Sequence, residues 1–258
     1  MKPGQFLAAA VLAVLLGGTT LAQAEPTEVT VRVLSKDAKF IGTSMGGMQV
    51  TLSDAETGKV LAQGLTEGGT GNTKLLMHKN GGRRAPLADE TAASFHATLD
   101  LSEPRLIKAS AYGPLGYSAS AHGVTATQWV VPGRNLTGGD GWVLELPGFV
   151  VTLTAPETPI VASASAGPIA LKAKVTMMCG CPIEPGGLWD ANGYEVKGIL
   201  YKDGKQVETA ALAYAGETSM FAGSLPVPAP GRYRLFVYAY DAANGNTGVA
   251  QTPLVVGE

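Results

Sequence analysis

Apolar and polar residues alternate one by one along much of this chain, and glycine or proline cuts the alternation every few residues. In EVTVRVLSKD, Val29, Val31 and Val33 alternate with Thr30, Arg32 and Leu34. In IALKAKVTMMC, Leu171, Ala173, Val175, Met177 and Cys179 share one side, and Lys172, Lys174, Thr176 and Met178 the other. Successive strand residues point to opposite faces, so a period of two marks strands with one buried face. The 34 glycines and 16 prolines supply the frequent turns that short strands need. Helical periodicity is nearly absent after the first two dozen residues. The fold class expected is all-β, with two β-sandwich domains after a cleaved leader.

The leader is MKPGQFLAAAVLAVLLGGTTLAQA. Lys2 gives a positive end, Phe6 to Leu16 an apolar core, and Ala22-Gln23-Ala24 a small-residue cleavage site. The apolar core is shorter than the roughly 20 residues a membrane span needs. No cysteine follows it, so a lipid anchor is not expected, and no later stretch is long and apolar enough to span. The expectation is an exported periplasmic protein, cleaved after Ala24. The formal charge of −2 excludes a nucleic-acid partner, which needs a basic face against the phosphates.

Turn chemistry organises the rest. Val50 and Leu52 lead into Asp54-Ala-Glu-Thr57-Gly58, and Val60 and Leu61 lead out, as in a hairpin. This strand, D-x-x-T-G turn and strand resemble the carboxypeptidase-regulatory and transthyretin-like sandwiches, over Glu28 to Thr73. Further strands are expected at Ser94–Leu101, Arg105–Tyr112, Gln128–Val131 and Gly141–Leu153, with Lys74 to Ala93 a long surface loop. Residues 154–167, rich in Pro, Ala and Ser, read as a linker between a domain at 25–153 and one at 168–258. In the latter, Asp203-Gly204 and Asn244-Gly245 are hairpin turns. Gly231-Arg-Tyr233 opening a strand and Asp241 to Asn246 ending it resemble the last hairpin of bacterial immunoglobulin-like domains, over Pro168 to Val256. The resemblance implies that Tyr233 is a tyrosine corner, its hydroxyl returning to nearby backbone. It also implies one cysteine on each of two facing strands, which is absent here.

The only two cysteines, Cys179 and Cys181, sit one residue apart where a strand runs out at Gly180 and Pro182. Three readings stand. Cys179 and Met177 are plain core residues, or the pair closes a disulfide in an oxidising compartment, or thiolates and thioethers form a soft-metal site for copper, Cu(I). In the copper reading Met177, Met178, Cys179 and Cys181 are joined by Met220, which antiparallel pairing of TSMFAGSL brings near. Met45-Gly-Gly-Met48 is a second thioether pair. Zinc fits less well, because His78, His96 and His122 are widely spread.

No nucleophile elbow, phosphate loop or H-E-x-x-H is present. Glycine-rich Gly68–Thr73 is followed by no helix signal. Asp190-Ala-Asn-Gly and Asp241 to Asn246 read as turns rather than calcium loops. Phe236, Tyr238 and Tyr240 form an apolar second face on a strand whose inner face is Tyr233, Leu235, Val237 and Ala239. That face packs on the first domain or binds a partner. The expected function is non-catalytic: holding or delivering copper, with a periplasmic or envelope metalloprotein as partner. The alternatives are a thiol–disulfide protein and a structural or partner-binding module.

Overall fold

The structure, a computed structural model, describes residues 23–78, 82–165 and 167–258. The leader therefore lies almost wholly outside the described residues; β1 begins at Glu25. None of the described helices is long and apolar enough to cross a membrane.

The first sandwich is built from β1 (Glu25–Ser35), β2 (Gln49–Asp54), β3 (Val60–Leu65), β4 (Phe95–Leu101), β5 (Arg105–Gly113), β6 (His122–Val130) and β7 (Trp142–Leu146). One sheet has the order β4-β1-β7, the other β3-β2-β5-β6. The alternation in β1 does what the pattern requires: Val29, Val31 and Val33 are buried. The β2–β3 turn is held by Asp54, whose Oδ1 accepts the backbone N–H groups of Glu56 and Thr57 at 2.9 and 2.8 Å. Its Oδ2 takes an Arg105 guanidinium N–H at 2.9 Å. The Thr57 amide, with Arg105 beside it, lowers the Asp54 carboxyl to about 2.

A short helix, α1 (Thr73–His78), stands at the start of the expected Lys74–Ala93 loop and directly follows the Gly68–Thr73 stretch. Leu76 packs with Phe40 and Ala92 in a small satellite core. One and a half turns are too few to show a helical period in the sequence.

The second sandwich holds β8 (Phe149–Ala155), β9 (Ile160–Ser163), β10 (Ile169–Met177), β11 (Tyr194–Lys202), β12 (Lys205–Ala211), β13 (Ala213–Tyr214), β14 (Met220–Leu225), β15 (Gly231–Asp241) and β16 (Asn246–Gly257). Its sheets run β13-β14-β10-β8 and β12-β11-β15-β16-β9. That is the strand order of an immunoglobulin-like sandwich, with the first strand divided between the sheets. Asp203 and Gly204, at φ 50° and 77°, make the two-residue β11–β12 turn. The Tyr233 hydroxyl donates to the Ala229 carbonyl at 2.6 Å, forming the corner.

The boundary differs from the expected one. The run Gly141–Leu153 is not one strand: β7 closes the first sandwich, and β8 opens the second by pairing with β10. The joint is Pro147-Gly148, where proline removes an amide and Gly148 takes φ 131°. Residues 154–167 are not a free linker, because β9 inside them pairs in parallel with β16.

The joint is tightly held. Buried Asn246 accepts the Gly148 N–H at 2.6 Å and donates to the Gly148 carbonyl at 3.0 Å. His122 Nε2 lies 2.7 Å from the Pro147 carbonyl. Across the interface the Trp189 indole N–H donates to the Asp37 carbonyl at 2.9 Å, and Lys36 Nζ to the Asn244 carbonyl at 2.9 Å. Buried apolar residues of both sandwiches form one contiguous cluster.

Candidate functional site

β10 carries the cysteine loop at its end. It buries Ile169, Leu171, Ala173, Val175 and Met177 and exposes Lys172 and Lys174, so its inner face leads straight into the loop. There the chain curls. The Gly180 N–H donates to the Met177 carbonyl at 2.8 Å, and the Met177 N–H to the Cys181 carbonyl at 3.1 Å. Gly180 takes φ 78°, a conformation glycine adopts without cost. The curl brings the cysteine side chains together, and Cys179 and Cys181 are joined in a disulfide. Both are buried, while Gly180 at the apex is exposed.

Buried Ser219 braces the returning chain. Its hydroxyl accepts the Ile183 N–H at 3.0 Å, its amide donates to the Ile183 carbonyl at 2.9 Å, and its carbonyl accepts the Val175 N–H at 2.8 Å. The next segment folds on Asp190, whose Oδ1 accepts from the Gly186 and Asn192 amides at 3.0 Å each. The Asn192 amide, then that of Gly186, holds the Asp190 carboxyl below its usual range. Asp190 thus forms a turn, and the Asp241 carboxylate does likewise by accepting the Ala243 N–H at 2.8 Å.

The sulfur atoms are distributed differently from the expectation. Met177 is opposed to Phe149 on β8 and points into the core of the second sandwich. Met178 is buried at the joint: a Cβ on Gly148 would stand 3.3 Å from its Sδ and 3.0 Å from His122 Cε1. Met220, expected beside the pair, begins the neighbouring strand β14. It is opposed to Lys174, and opposed residues share a face, so Met220 stands on the lysine side of the sheet. The left-handed Ser219, φ 63°, starts β14 at that register.

The thioether that does reach the loop is Met45 of the first sandwich. A Cβ on Gly180 would stand 2.5 Å from its Sδ. The Met45-Gly-Gly-Met48 pattern singles Met45 out in the sequence, but nothing local says which loop it meets. Its partner Met48 is turned toward Gly113, where a Cβ would stand 2.7 Å from the Met48 Sδ.

The histidines do not converge. His96 is bonded to Thr30 and Ser94 hydroxyls, both at 3.0 Å. Both nitrogens of His122 face backbone carbonyls, Ser120 and Pro147. His78 ends α1. Among the described residues, no group of three or more His, Cys, Asp or Glu side chains is placed to hold a metal ion.

Phe236, Tyr238 and Tyr240 are half-buried on the outer face of the five-stranded sheet. The first sandwich meets the second near Val150 and Thr176 on the other sheet, and at Asn244 in the β15–β16 turn. Phe236 and Tyr238 border an open groove of about 500 Å³ lined by residues of the second sandwich. Tyr201 meets Phe236 edge-on at 5.5 Å, and Arg234 lies 5.4 Å over the Phe236 ring. The Tyr238 hydroxyl donates to Glu195, and burial, with that carboxylate beside it, pushes Tyr238 up to about 12.

These features define a class: an all-β protein of two joined sandwiches, the second immunoglobulin-like. No protein-family model and no curated protein matches the chain. Among solved structures it is similar to an engineered protein, at 17% identity and TM-score 0.32, over 50% of this chain and 24% of that one. It is also similar to fibronectin(III)-like modules of Clostridium thermocellum CbhA, at 13% identity and TM-score 0.29, over 81% and 77% of the two chains. A titin I-band fragment matches at 13% identity and TM-score 0.26, over 90% and 66%.

Proposed function

We propose that this is an exported, non-enzymatic binding protein whose Cys179–Cys181 pair is a redox-gated site for Cu(I). The observation that carries the reading is the Met45 thioether packed on the loop between the two cysteines. It adds a soft neutral donor from the other sandwich beside two potential thiolates, the ligand chemistry that selects Cu(I). The disulfide is the closed state. A dithiol reductant supplies two electrons and two protons, breaking the S–S bond to give two thiols and itself becoming a disulfide. Cu(I) then displaces both thiol protons. Closing so short a loop stabilises the fold by only about 1.6 kcal/mol on the chain-entropy account, so opening it leaves the sandwich folded.

The disulfide also favours a second reading, a thiol–disulfide exchange protein that holds no metal. Competition against a Cu(I) chelator separates the two. Reduced protein freed of reductant should bind one Cu(I), oxidised protein none, and Cys179→Ser or Cys181→Ser should each lose at least tenfold in affinity. Equal, weak copper retention by wild type and both serine variants rejects the copper site. A measured two-electron potential in the same protein would then support exchange chemistry.

A further inference from the structure

Beside Gly180, where the first sandwich meets the outer face of β10, lies a cavity of about 210 Å³. Its polar lining comes from both sandwiches: Ser44 and Tyr117 from the first, Thr152, Lys174 and Thr176 from the second. Met45 and Val150 give it apolar walls. No carboxylate lines it, and among the described residues Lys174 is in no ion pair. Of these polar residues Thr176 is buried, while Ser44, Tyr117, Thr152 and Lys174 are exposed, so the cavity opens to solvent. One lysine and four hydroxyl-bearing residues thus line it, with no carboxylate among them.

We infer that this cavity binds a small oxyanion, of the size of phosphate or a short carboxylate. The ammonium supplies charge and up to three donors, and each hydroxyl supplies one more. Hydrogen bonds from such donors to an ionised acceptor are the strong kind. A volume of about 210 Å³ leaves ample room for phosphate or acetate. The Met45 and Val150 walls suit the methyl end of a short carboxylate. Because donors come from both sandwiches, the bound anion bridges them. The site needs neither thiols nor copper and stands apart from the proposed function.

The test uses the oxidised full chain with inorganic phosphate and acetate as probes, and chloride as the control at constant ionic strength. Calorimetric titration and thermal unfolding should show saturable binding and a rise in Tm with phosphate or acetate but not with chloride. Lys174→Gln should abolish the effect. Thr176→Val, which keeps the shape and removes a donor, should weaken binding about tenfold. Lys172→Gln is the control, since Lys172 is exposed on the same face of β10 but does not line the cavity. Binding lost in Lys174→Gln and kept in Lys172→Gln supports the site. No difference from chloride, or equal weakening by both lysine variants, overturns it.

Discussion

Asn246→Ala isolates the clamp that joins the two sandwiches. The Asn246 side chain is the partner of both polar groups of buried Gly148, accepting at 2.6 Å and donating at 3.0 Å. Removing it leaves one N–H and one carbonyl without a partner. At about 1.5 kcal/mol per stranded group, the expected loss is about 3 kcal/mol. For a chain of this size that lowers Tm by about 6–12 °C. Asn246→Asp separates hydrogen bonding from packing. The carboxylate still accepts the Gly148 N–H but faces the Gly148 carbonyl with a second acceptor, so it should be at least as damaging as alanine. Chemical denaturation of the three proteins, followed by circular dichroism, measures the differences. An alanine variant within about 0.5 kcal/mol of wild type, or an aspartate variant more stable than the alanine one, would refute the clamp.

Two further outcomes are expected. Asp54 has a depressed carboxyl, so its contribution is complete above about pH 4 and is lost as pH falls toward 2. The Tm gap between wild type and Asp54→Asn should therefore narrow between pH 5 and pH 2; a gap that widens contradicts the assignment. Gly180→Ala should destabilise by about 1–2 kcal/mol through its left-handed backbone and further through overlap with the Met45 sulfur. Met45→Ala in the same chain should recover the overlap part alone, and strict additivity in a double-mutant cycle would count against the contact.

What the sequence made legible were features whose cause is local. Valines at Val29, Val31 and Val33, the Asp203-Gly204 turn and the Tyr233 corner depend on residues within a few positions of one another. The domain boundary did not follow from local pattern, because Gly141–Leu153 is apolar on both sides of Pro147-Gly148. Only pairing with β1 on one side and β10 on the other assigns its halves to different sandwiches. The Pro-rich segment resembled a linker for a similar reason: β9 is four residues long, and its partner β16 is distant in the chain. At the candidate site, alternation placed Met177 and Cys179 but could not fix a register. The left-handed Ser219 decides that Met220 opposes Lys174, and only the docking of the two sandwiches brings Met45 to Gly180.

The divided first strand of the second sandwich has a mechanical meaning. β8 enters directly from the joint at Gly148, and β9 then runs parallel to β16, which ends at Gly257. A tension applied between the joint and Glu258 draws β9 and β16 past each other along their own axes. Parallel neighbours loaded this way strain their hydrogen bonds together, in shear, whereas an antiparallel hairpin pulled from its open end gives way bond by bond. Along that axis the short β9 acts as a latch on the C-terminal strand.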